Sequence, residues 1–178
     1  MSNHEERSEA NSLHLLMAFS RSKDGQEQKC IRSIIKDYNL DLELLKAKLK
    51  IIGGSWRIHK TVNARDVEKA RKSLIKTLID HPEKAGYIDS QWRTELLQRD
   101  CIYGEKSFLL DIDTLNDEDI ALIERTITDS GGEIKESIRT PNGLHFVTNP
   151  FDTRIVCALK NVTLLRDGYI YVDKVEGR

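Results

Sequence analysis

Residues 55–66 read SWRIHKTVNARD, and whether this stretch is strand or helix decides the class of the chain. Trp56, Ile58 and Val62 alternate with Arg57, His59, Thr61 and Asn63, the period-two pattern of a strand with one apolar face. Gly53-Gly54 just before it stops a preceding helix. After it, Val67, Ala70, Leu74, Ile75 and Leu78 recur at helical spacing, with Asn63 a candidate N-cap and Pro82 beyond the end. A strand running directly into an amphipathic helix predicts a sheet with helices laid on it.

Downstream, the pattern predicts a short helix within 87–101, around Trp92 and Leu96. KSFLLDIDT reads as a strand. NDEDIALIERTITDSGG reads as a helix, acidic in its first turn and ended by glycines. IKESIRTPNGLHFVTN predicts a hairpin turned at Pro141-Asn142-Gly143. TRIVCALKN predicts a short helix, and VTLLRDGYIYVDKV a second hairpin turned at Asp167-Gly168. Upstream, residues 1–11 read as a flexible lead, and apolar spacing predicts helices over 12–24, 26–38 and 40–51. The expectation is one α+β structural domain. Its antiparallel-rich core over 55–178, with helices packed on the sheet, follows a helical N-terminal segment over 12–54.

With 178 residues, 28 basic and 29 acidic side chains and a net charge of −1, the chain lacks the cationic excess of a duplex-nucleic-acid binder. Cys30, Cys101 and Cys157 form no C-x-x-C pair, so a disulfide framework or zinc ribbon is not expected. MSNHEERSEANS has no secretory apolar region, and no apolar run approaches the ~20 residues that span a bilayer. A cytoplasmic protein without membrane contact is expected, as a monomer or weak oligomer.

Of five histidines, His4 falls in the lead, His14 on an expected helix and His81 at a helix end. His59 and His145 differ, each lying mid-strand with an asparagine four residues on, Asn63 and Asn149. Alternation puts Arg57, His59, Thr61 and Asn63 on one face, and His145, Val147 and Asn149 on another. One neutral and one protonated imidazole serve as base and acid near neutral pH. That suits phosphodiester cleavage beside a ribose 2′-hydroxyl, with nearby Arg or Lys offsetting developing charge and no metal or cofactor required.

The H-x-T of His59-Lys60-Thr61, with a second strand histidine in the C-terminal half, resembles the two-histidine phosphoesterase superfamily. RIHKTVNARD, FLLDIDT and RTPNGLHFVTNPFDTR, in that order, are similar to the tailed-phage anti-CBASS phosphodiesterases, which degrade the cyclic oligonucleotide messengers of bacterial antiphage defence. The resemblance covers residues 55–178 and implies two pseudo-symmetric halves, with His59, Thr61, His145 and Thr148 catalytic and a cyclic di- or trinucleotide as substrate. Thr148 sits one residue later than the motif's second threonine, so regular alternation points it away from His145. Arg57, Lys60, Asn63, Arg139, Val147 and Asn149 are the candidate substrate contacts around the histidines. The resemblance further implies base-stacking aromatics, for which Trp56, Trp92, Tyr103, Tyr169 and Tyr171 are candidates, and a base-reading carboxylate, Asp173 or Glu176.

Two other readings stand beside it. Asp111 and Asp113 share a strand face, the spacing with which carboxylates hold a divalent cation. D-x-D before a strand histidine resembles a primase-polymerase core doing metal-dependent nucleotidyl transfer. A non-catalytic module that sequesters cyclic nucleotides would use the same cleft.

Overall fold

A computed structural model describes residues 11–20, 27–35 and 38–177. Its elements are β1 (Ser12–Phe19), β2 (Cys30–Ile35), α1 (Tyr38–Ile52), β3 (Gly54–Thr61), β4 (Arg65–Asp66), α2 (Val67–Asp80), α3 (Ile88–Leu96), β5 (Phe108–Ile112), α4 (Asp117–Asp129), β6 (Ile134–Arg139), β7 (Leu144–Thr148), β8 (Val162–Leu165) and β9 (Tyr169–Gly177). The class is α+β, with two antiparallel sheets ordered β2-β1-β3-β9 and β6-β7-β5-β8. The described chain divides into two compact units, one of Asn63–Glu105 with the first residues of β1, the other of the rest.

In the smaller unit, β4 pairs with Ser12 and Leu13. This pairing delays the helix, so Asp66 rather than Asn63 caps α2, accepting from the Lys69 N–H at 2.9 Å. A 3-10 turn over Pro82–Tyr87 leads into α3. Glu95 of α3 is buried and accepts from Ser73 and Thr77 of α2 and from Gln91 at 2.6–2.9 Å.

In the larger unit, α1 lays Leu42, Leu45 and Leu49 on Leu16, Ala18, Trp56, Ile58 and Val175 of the first sheet. Each such side chain taken from water contributes about 1.5–3 kcal/mol. Gly53 and Gly54, at φ 83° and 85°, turn the chain from α1 into β3 through a conformation that a Cβ disfavours. On the second sheet, Ile123 and Ile127 of α4 pack on Leu110, Ile112 and Phe146.

Two further expectations are corrected. The helices expected over 12–24 and 26–38 are strands where described, β1 and β2, so the 12–54 segment is not a helical preface; α1 alone is helical, in agreement with the 40–51 prediction. Leu15, Leu16, Met17 and Ala18 are all buried, because β1 lies inside its sheet and both of its faces are covered. A continuous apolar run of this kind does not separate strand from helix by period. Secondly, β8 and β9 are not a hairpin. Leu165 pairs with Leu109 in one sheet while Tyr169 pairs with Thr61 in the other, so the Arg166–Gly168 turn carries the chain between sheets. The residues of the expected lead before Asn11 lie outside the described part.

Candidate active site

β3 presents the two faces its alternation predicts. Trp56 and Ile58 enter the core under α1, while Arg57 and His59 line a cavity of about 660 Å³. β7 does the same from the second sheet. Phe146 enters the core against α4, and His145, only 6% exposed, lines the same cavity. Further walls come from Phe19, Asp111, Asp113, the Thr140–Asn142 turn, the Arg166–Gly168 turn, Tyr169 and Tyr171.

The turn before β7 is held by the Thr140 N–H donating to Gly143 O at 2.9 Å. Gly143 lies so close to the end of β5 that a Cβ there would sit 1.8 Å from the Ile112 carbonyl oxygen.

His59 stands between two rings, edge-on to Phe19 at 5.6 Å and to Tyr171 at 5.7 Å between centroids. Tyr171 reaches both histidines, because its backbone N–H donates to His145 Nδ1 at 3.1 Å. A β-bulge makes this possible. Ile58 pairs with Asp173 but His59 with Tyr171, so the register skips Val172 and the ladder breaks beside Tyr171. Burial, with the nearby Asp173 charge, pushes the Tyr171 hydroxyl up from its usual range, against the pull of Arg57.

His145 has a second partner. Asp111 lies directly opposite it in the β5–β7 register, and its Oδ1 is 3.3 Å from His145 Nε2. The Asp111 side chain is 35% exposed and lines the cavity. Arg57 and Arg166 supply positive charge to the wall, and Asp111, Asp113 and Asp167 negative charge. Arg57 Nε is buried and makes no hydrogen bond. Among the described residues, no three His, Cys, Asp or Glu side chains converge as a metal-holding group.

Of the predicted residues, His59, His145, Arg57, Tyr169 and Tyr171 therefore meet at one cavity, as do Asp111 and Asp113. Others do not. Thr61 is fully buried and accepts the Leu15 N–H at 3.3 Å, fastening β1 to the end of β3. Thr148 is fully buried on the Phe146 side of β7, as alternation requires. Trp56 is a core residue that donates to Gly53 O at 2.8 Å. Val147 packs with Val62, Leu109 and Ile170. Asn149 Oδ1 accepts from the Glu133 N–H at 2.7 Å. Asp173 is paired with Lys46 of α1, which holds its carboxyl below the usual range, and Glu176 with Lys174 and Ser55. Lys60 and Arg139 lie outside the cavity lining, and Asn63, Trp92 and Tyr103 belong to the other unit.

Residue spacing missed Phe19 and the Arg166–Gly168 wall, and read Asp111 only beside Asp113. The signal for Asp111 was present, since FLLDIDT and GLHFVTN are both strands with a polar face. Their pairing is a tertiary fact. Compared with protein-family models, curated proteins and solved structures, the chain finds no match.

Proposed function

We propose that this chain is a metal-independent phosphodiesterase that hydrolyses cyclic oligonucleotide messengers of the cyclic GMP–AMP type. One observation carries the reading: histidines from strands of two different sheets line one cavity, with Tyr171 touching both. Two groups able to exchange protons with one ligand, His59 and the His145–Asp111 pair, are what phosphodiester cleavage without a metal needs. The bare Arg57 Nε supports an anionic ligand, since a phosphoryl oxygen would satisfy it. Phe19, Tyr169 and Tyr171 offer ring faces and edges to a base. Two rows of four strands, each holding a histidine strand and covered by one helix, support a pair of pseudo-symmetric halves. In a host cytoplasm such an activity would remove the signal of a cyclic-oligonucleotide defence, as the anti-CBASS resemblance of the sequence implies.

The test is incubation with 3′,5′-cyclic GMP–AMP, with and without EDTA. Cleavage that survives chelation and is lost in His59→Ala supports the proposal. Cleavage abolished by EDTA would sink it in favour of metal chemistry at Asp111 and Asp113, and tight binding without turnover would favour a sequestering protein.

A further inference from the structure

His145 is held from both sides, and the two contacts together say which ring nitrogen carries the proton. The Tyr171 N–H points at Nδ1 from 3.1 Å. A backbone amide only donates, so Nδ1 is the acceptor and bears a lone pair. The proton of the neutral ring is then on Nε2, which lies 3.3 Å from Asp111 Oδ1. Turning the ring over would set carbon against both partners, so the two contacts fix its orientation. A ring in this state has no lone pair on Nε2 with which to take a proton from a ligand. Giving up its single proton would leave an anionic ring. What the pair offers the cavity is the Asp111 carboxylate, with the His145 Nε2 standing 3.3 Å from one of its oxygens.

We propose that Asp111, rather than His145, is the general base of this site, and that His145 is the positioning residue that holds it. This rests on the phosphodiesterase reading above. The Asp111 carboxylate takes the ribose 2′-hydroxyl proton, and O2′ bonds to phosphorus. The phosphorus–O5′ bond breaks as protonated His59 gives O5′ its proton. Asp111 ends protonated and His59 neutral, with a 2′,3′-cyclic phosphate and a 5′-hydroxyl formed. Neutral His59 then takes a proton from water as the water oxygen bonds to phosphorus. The phosphorus–O2′ bond breaks with the Asp111 proton going to O2′, and hydrolysis is complete with both groups reset. Arg57 and Arg166 in the cavity wall offset the charge of a phosphodiester brought beside a carboxylate.

Two measurements on the full chain decide it. The first is the ¹⁵N–¹H spectrum of histidine-labelled protein, which reads the tautomer without any substrate. The expected result is His145 protonated at Nε2 and bare at Nδ1; a proton on Nδ1 overturns the assignment. The second is turnover of 3′,5′-cyclic GMP–AMP in EDTA. Asp111→Asn is expected to lose at least about 100-fold in kcat with little change in KM, and Asp111→Glu to recover part of it. His145→Gln, which keeps an N–H for Asp111, is expected to lose no more than about 10-fold, because it removes only a donor of ordinary hydrogen-bond strength. His145→Gln as inactive as Asp111→Asn, or Asp111→Asn near wild type, overturns the proposal. If the wild type cleaves nothing while the spectrum shows the expected tautomer, the phosphodiesterase reading is what fails, and the base role falls with it.

Discussion

At Gly143 there is no room for any side chain. A methyl group would stand 1.8 Å from the Ile112 carbonyl oxygen, so the turn or the end of β5 must move. Gly143→Ala is expected to lower stability by about 1–3 kcal/mol, the usual cost of overpacking, and urea unfolding would measure it. A wild-type midpoint would show the turn to be less constrained than described. The role proposed for Arg57 is in binding rather than folding. Its buried Nε lacks a hydrogen bond, and a charge-assisted bond is worth about 1.5–3 kcal/mol, so Arg57→Leu should raise KM for cyclic GMP–AMP by about 10–100-fold. An unchanged KM would remove Arg57 from the site. At this scale, alternation along 55–63 sorted Arg57 and His59 correctly from Trp56 and Ile58. It put Thr61 on that face too, but did not show that its hydroxyl accepts the Leu15 amide. Face is written in the local sequence; the hydrogen-bond partner is not.

A visible period gave helix or strand correctly in most elements but misled over 26–38, where the helical spacing of the isoleucines belongs to the strand β2. α1, α2 and α4 carry one apolar stripe each, and β3 and β7 alternate. β1 was not legible because burial on both faces erases the period. The β8–β9 turn was seen, but a turn signal does not say which neighbours the two strands will find. α2 and α3 hold a further device. Glu95 takes hydrogen bonds from Ser73, Gln91 and Thr77, which hold its carboxyl below the usual range against the opposing effect of burial. A carboxyl with a lowered folded value stabilises the fold above its unfolded value of about 4.3 and stops doing so as pH falls through the folded one. Glu95→Gln should therefore be less stable by about 1–3 kcal/mol at pH 7, since an amide cannot accept from all three donors. That gap should close in acid. Melting temperature against pH for both proteins checks it, and a gap constant down to pH 3 would contradict the assignment.

For the molecule as a whole, α+β and antiparallel were readable from the order of elements. The partition into two sheets was not, since it depends on pairings such as Asp111 with His145 and Thr61 with Tyr169. A ligand of the cavity should stabilise the folded protein by mass action, about 2.7 kcal/mol at 100 times its Kd. With an uncleavable phosphorothioate analogue of cyclic GMP–AMP, hydrogen exchange should slow in β3, β7 and β9. α2 and α3, whose unit contributes no residue to the cavity lining, should be unaffected. Protection confined to α2 and α3 would place the ligand elsewhere.

The amide that sets the His145 ring belongs to the backbone of residue 171, so no substitution there except proline removes it. What it depends on is the spacing along β9, where one skipped residue, Val172, brings that amide opposite the ring. Inserting or deleting a single residue between 169 and 173 would exchange the two faces of the strand and withdraw the donor. In divergent descendants of this chain, a lasting mark of the site is thus expected to be an ungapped length in the final strand.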